Sequence, residues 1–282
     1  MTTWFHADDY GITLQQAESI LALSSACGGA GMLNSISVFA NSPAFPEAAA
    51  CAIPYVERGD MAVTVHINLV EGAPVSSPQD VSLLVNQRGT FKNDFLGLMR
   101  LRGAEAAQQI RRECYAQIML FLAAFPNQEK ALNLDSHQHT HMIPLVFDAL
   151  MAAAADAGAN VNYVRVPVEP VAPHGMRSAF SVNMAKNLLL GAYSRHAYRN
   201  MPAGAHTALF SGIMLSGHME DTTGDVVRQL EAQAARENRD LEILFHPVSM
   251  QREDCLDPQN HPFTDACCSP HRDAEARWLA GR

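Results

Sequence analysis

Hydrophobic positions along the chain fall into two alternating kinds of segment. Short apolar runs rich in Val, Ile, Leu or Phe occur at 3–7, 35–39, 62–67, 131–134, 163–166, 207–210 and 242–245. They are short and nearly continuous, as strands covered on both faces are. Between them, apolar residues recur at helical spacing near 14–27, 44–52, 104–125, 144–157, 180–198, 223–237 and 272–280. Start and stop signals agree. Thr13 can cap the first helix, Pro144 suits the first turn of the fourth, and 221–224 opens the sixth. Gly158 follows the fourth helix and can end it.

Seven strand–helix units in series predict a parallel α/β architecture. Period alone does not separate a closed barrel from an open sheet. The length of 282 residues and the polar residues gathered at strand ends favour a (β/α) barrel with seven strands, read as one domain over 1–282. The segment 71–103, containing GAPVSSP and NQRGTFKND, is long for a loop and is expected as an insertion over the barrel mouth.

Composition narrows the classes. The chain is 48% hydrophobic, enough for a substantial core, and carries a formal charge of −9. Its basic residues are scattered singly, whereas a nucleic-acid partner needs a basic stripe, so that class is set aside. The opening MTTWFHADDYG is not a secretory signal, and no apolar run approaches the length of a membrane span. The expectation is a cytoplasmic protein, whose six cysteines are then reduced thiols.

Four polar clusters fall at the C-terminal ends of predicted strands, the edge where α/β folds bind ligands. HADDYG carries Asp8 and Asp9, and VTVHINLVEG carries His66. LNLDSHQHTHMIP carries Asp135 with His137, His139 and His141, and LEILFHPV carries His246. Adjacent carboxylates raise one another's pKa unless a cation sits between them. Asp8 and Asp9 could equally begin a turn and cap the first helix. His66 alone says little. The alternate histidines share one face of an extended segment. Three such imidazoles seldom converge on one ion, so one or two ligands are expected there, with the rest around them. Pro247 fixes the backbone of His246, which leaves a ligand, a general acid or a structural histidine open. Together the clusters supply two His and one Asp for a metal, a second Asp as base and another His as acid, a set suited to metal-assisted hydrolysis.

HADDYGIT, VHINLVEG, LDSHQHTHMIP and EILFHP, in this order, resemble the successive motifs of the YdjC-like family, also called the ChbG/HpnK family. The resemblance runs from residue 5 to about 247. It implies a carbohydrate deacetylase on a distorted (β/α) barrel related to the polysaccharide deacetylases. It further implies Asp9, His66 and His137 as metal ligands, Asp8 as catalytic base and His246 as general acid. Arg165, in YVRVP, would orient the base or the substrate. His139, His141, Asp135, Asn68 and Glu242 would stand beside the ligands or the substrate, with Asp135 holding a histidine rather than the ion. The implied substrate is an N-acetylated sugar, and a homodimer is compatible with the resemblance although the sequence marks no interface.

Three positions depart from the family pattern. His6 stands where asparagine is usual, Tyr10 where phenylalanine is usual, and Val248 where glycine commonly follows His-Pro. None is expected to touch a proposed ligand, but they weaken any transfer of substrate identity, which 71–103 and 167–206 should decide. The ligand set suits one Zn²⁺, while Mg²⁺, Mn²⁺ or Co²⁺ would serve if waters complete the shell. Two histidines and a carboxylate also form the site of non-haem iron oxygenases, but those leave the second aspartate without work. Amidohydrolase and phosphoesterase barrels generally open with His-x-His rather than with aspartates. A non-catalytic carbohydrate-binding protein would not need every proposed catalytic position filled.

Overall fold

The computed structural model describes residues 1–174 and 182–281. The elements of the first half are β1 (Thr3–Tyr10), α1 (Leu14–Leu21), β2 (Ser35–Val38), α2 (Phe45–Glu57), β3 (Ala62–Ile67), α3 (Phe95–Arg100) and α4 (Gly103–Ala124). Those of the second half are β4 (Leu132–Ser136), α5 (Pro144–Asp156), β5 (Val161–Val164), α6 (Val182–Asn200), β6 (Leu209–Ser211), α7 (Gly224–Glu237), β7 (Leu241–Phe245), α8 (His261–Cys267) and α9 (Pro270–Leu279).

The seven strands pair in the order β5-β4-β3-β2-β1-β7-β6, all parallel. Every residue of β2 and of β7 is buried, which explains why these runs carry no polar outer face. The sheet curls until its edges meet. His206, just ahead of β6, donates its N–H to Asn162 O at 2.9 Å and accepts from Val164 N at 3.1 Å. The result is the distorted seven-stranded barrel that the sequence predicts. Aliphatic side chains such as Ile36, Val65, Leu134 and Ile243 bind the sheet to its helices.

The differences have local causes. The first helix ends at Leu21, not near 27, because the glycine-rich stretch that follows turns through positive φ at Gly28 (81°) and Gly31 (140°). Residues 180 and 181 of the helix predicted over 180–198 lie outside the described residues. α3 and α8, six and seven residues long, are too short to show a period. β4 runs on through Asp135 and Ser136, two polar residues that an apolar pattern excludes from a strand. The segment 71–103 buries its apolar residues Val81, Leu84 and Phe91 in the main core and is tied to α4, where Glu113 accepts from the Val75 and Ser76 backbones at 2.9 Å each. Among the described residues, no helix is long and apolar enough to cross a membrane, and all six cysteines are free thiols.

Candidate active site

β1 creates the site by breaking its own regularity. Its pairing with β2 shifts register between Ala7 and Tyr10, and Asp9 takes a left-handed φ of 62°. In a regular strand two consecutive side chains point to opposite faces. The bulge lets both Asp8 and Asp9 face one cavity, of about 280 Å³, at the C-terminal edge of the strands. Aspartate tolerates this backbone better than most residues.

Asp9 Oδ1 lies 3.7 Å from His66 Nε2 and 3.1 Å from His137 Nδ1. The three side chains each offer an atom within 4.8 Å of the others. Asp9 Oδ1, His66 Nε2 and His137 Nε2 are all buried without a hydrogen-bond partner. Unsatisfied buried polar atoms are costly, so three on neighbouring side chains mark a place for a ligand; on His137 the nitrogen nearest Asp9 is Nδ1, and the unpartnered one is Nε2. His66 donates from Nδ1 to Asp135 Oδ1 at 2.7 Å, which aims Nε2 at Asp9. Phe39 and Phe263 pack edge-on to His137, at ring distances of 5.2 and 4.8 Å, and fix its plane.

Charge favours a cation here. Asp8, Asp9, Asp135 and Glu242 are buried with two guanidiniums, Arg165 and Arg272, an excess of carboxylates that the imidazole of His66 offsets only in part. Burial opposes a charge on His66, but Asp8 and Asp135 outweigh it and push the imidazole up to about 10. His137 goes the other way, lowered by burial despite Asp9. Two imidazole nitrogens and one carboxylate oxygen around a point of excess negative charge fit a divalent ion of zinc type.

Arg165 organises the rest. It is fully buried and donates from both terminal nitrogens to Asp8, each at 2.9 Å, and from Nε to Glu242 at 2.7 Å. Glu242 also accepts from Tyr163 Oη. Burial alone would raise the Asp8 carboxyl; Arg165 and the flanking imidazoles of His66 and His6 overcome that and hold it well below the usual range. His6 reaches this network directly, with Nε2 3.2 Å from Asp8 Oδ1 and 2.8 Å from Ser37 Oγ, which in turn donates to Asp135. Of the three departures from the family pattern, His6 therefore lies against the proposed base itself. Tyr10 instead donates to Ala48 O at 2.8 Å, inside the core.

The remaining candidates divide clearly. His141 has both ring nitrogens engaged, with Ser136 Oγ at 2.6 Å and Arg165 O at 2.8 Å, so it props the turn. His139 lines the cavity with its Nδ1 unpartnered. Asn68 accepts from the Val70 and Glu71 backbones at 3.0 and 2.9 Å, and shapes its own loop. His246 opens onto the cavity with Nε2 3.9 Å from Asp8, its imidazole pulled down to about 4 chiefly by burial.

Several residues of the site had no motif to announce them. Arg272, near the start of α9, donates to Asp9 Oδ2 at 2.6 Å, leaving only Oδ1 free. Glu275, one turn later, accepts from His246 N at 2.5 Å and sets its backbone. Lys186, on α6, forms part of the cavity wall. Nothing local in the sequence marks these three. Ser35 and Ser37 did carry a signal: alternate polar residues within an apolar strand, both facing His6. None of the residues lining the cavity comes from 71–103.

Fold and site together define a parallel α/β barrel protein with a buried Asp–His–His centre at its strand ends. The family model described as YdjC-like protein matches residues 3–282, and the chain belongs to this family. It is 30% identical over 165 residues to a carbohydrate deacetylase of Danio rerio, over 58% of this chain and 49% of that protein. It is 26% identical over 217 residues to a chitooligosaccharide deacetylase of Escherichia fergusonii, over 72% of this chain and 80% of that one. The chain spans about half the length of the curated relatives from Danio rerio and Xenopus laevis, 49% in each. A crystal structure of an Enterococcus faecalis V583 protein, proposed to cleave cellobiose phosphate, superposes with a TM-score of 0.65 at 18% identity. That match covers 99% of this chain and 91% of the other, and supports the fold.

Proposed function

We propose that this protein is a metal-dependent carbohydrate deacetylase that removes an acetyl group from the nitrogen of an amino sugar or chitooligosaccharide-like substrate, releasing acetate. The observation that carries this reading is the buried group of Asp9, His66 and His137, each offering a ligand atom within 4.8 Å of the others and each carrying an unpartnered atom, beside an Asp8 that Arg165 keeps ionised. The carbohydrate deacetylases among the relatives point to the same substrate class.

A divalent ion held by Asp9, His66 and His137 would acidify water and polarise the acetamide oxygen. The chain's own residues supply the rest. Arg165 and His6 pin Asp8, so its carboxylate points into the cavity as a base of fixed orientation. A proton collected on Asp8 has 3.9 Å to travel to His246 Nε2. An imidazole held at about 4 keeps a proton weakly and yields it readily to a departing amine. His139 lines the same space, which supports a contact with the sugar.

Acetate release across a panel of N-acetylated mono- and oligosaccharides, with the metal varied, tests the activity. Asp8→Asn should keep its metal and lose roughly 10²–10⁴-fold in turnover, the range of general-base catalysis. Normal deacetylation by that variant would remove Asp8 from the role. His137→Ala should release the ion at the centre, and a full complement there would move the ligand role to His139.

A further inference from the structure

A second group of metal-ligating side chains stands outside the centre described above. His218 and Glu220 belong to the connection between β6 and α7, where 219–221 form a single helical turn. His271 is the second residue of α9. His271 Nδ1 bonds Glu220 Oε1, His218 Nδ1 lies 3.8 Å from the same oxygen, and the two imidazole rings are 4.1 Å apart. One nitrogen from each ring and one carboxylate oxygen fall within 4.8 Å of one another. Glu220 Oε2 is buried with no partner, although the residues around it are partly open to solvent.

We propose that His218, Glu220 and His271 form a second divalent-metal site, of zinc type, at the rim of the cavity. Two neighbouring imidazoles gain little by facing one another across a single carboxylate unless a cation joins them. Two nitrogens and one oxygen favour zinc over magnesium, which prefers an all-oxygen octahedron. Three protein ligands leave a coordination position open. His271 itself lines the cavity, as do Ser216 and Gly217, next to His218 in the chain. The open position is therefore available to water or to a sugar oxygen entering the mouth.

The site also has a mechanical consequence. α9 carries Arg272, which bonds Asp9, and Glu275, which bonds the His246 backbone. An ion clamping His271 to the 218–220 turn anchors the start of α9, the helix that carries both contacts. The inference concerns metal binding alone and does not depend on the proposed reaction.

The test is zinc content by atomic emission after dialysis against zinc, with unchanged circular dichroism as the control for folding. His218→Ala and His271→Ala should each hold one equivalent less zinc than wild type. His137→Ala should retain the rim equivalent, and the double variant His137→Ala/His271→Ala should hold none. His196→Ala, which removes an imidazole 2.7 Å from a carboxylate of Asp148 elsewhere on the surface, should match wild type. Wild-type zinc content in both rim variants, or zinc loss in the His196 control, would overturn the site.

Discussion

Val248 is the clearest case of a residue at odds with its backbone. Its φ is 71°, a region that a β-branched side chain enters only under strain. The family pattern commonly has glycine at this position, and glycine meets no such penalty. The surrounding structure holds the strain: Val248 N donates to Arg272 O at 3.1 Å, and Ser249 is tied to Asp273. Val248→Gly should therefore stabilise the protein by about 1 kcal/mol, the strain relieved less the chain entropy of glycine. Urea unfolding measures it, and a destabilised variant would show that the left-handed backbone is not strained. Glu71 makes a second residue-scale prediction. Burial, with Asp257 nearby, pushes its carboxyl up to about 9, and Oε2 has no partner. The folded chain then binds a proton that the unfolded chain has already released above about pH 4.3. The contribution of Glu71 to stability falls as pH rises from there to about 9, by up to roughly 1.4 kcal/mol per pH unit. Glu71→Gln removes this slope. Unfolding of both metal-free proteins at pH 5 and pH 8 should show the variant gaining on wild type, and parallel curves would show that Glu71 is ionised when folded.

At the scale of elements, most of the barrel was legible and most of the site's internal wiring was not. The apolar runs located all seven strands, because parallel strands buried on both faces leave a continuous pattern. The four motifs placed Asp8, Asp9, His66, His137 and His246 at one edge of the sheet, since chain order and strand direction determine which ends lie together. What escaped was the local geometry. No periodicity announces the bulge that turns Asp8 and Asp9 to the same side. Two left-handed residues, Gln138 (54°) and His139 (59°), break the run of alternate histidines. That break is why the three do not act as one face of a strand: His137 turns to Asp9, His141 to Ser136 and Arg165 O, and His139 to the cavity. Arg272 was invisible for another reason. It meets Asp9 across 263 positions of sequence, and a long-range partner leaves no local trace.

For the molecule as a whole, the consequence lies in how the barrel closes. Six neighbouring strand pairs are joined by ladders, whereas among the described residues β5 and β6 are linked by a single bridge, the two hydrogen bonds of the His206 backbone with its ring against Tyr163. A ring with one weakly stitched joint opens there first, since local opening costs least where the fewest bonds must break. Native-state amide exchange should run fastest through the joint at 161–164 and 206–211, and slowest in β1, β2 and β3; uniform protection around the barrel would show a closed ring without a weak point. Arg165 follows directly on β5 and grips Asp8 across the interior. Each excursion of that joint therefore loosens the arginine that holds the proposed base, so the lifetime of the seam sets an upper bound on how long the Asp8 carboxylate keeps its aim.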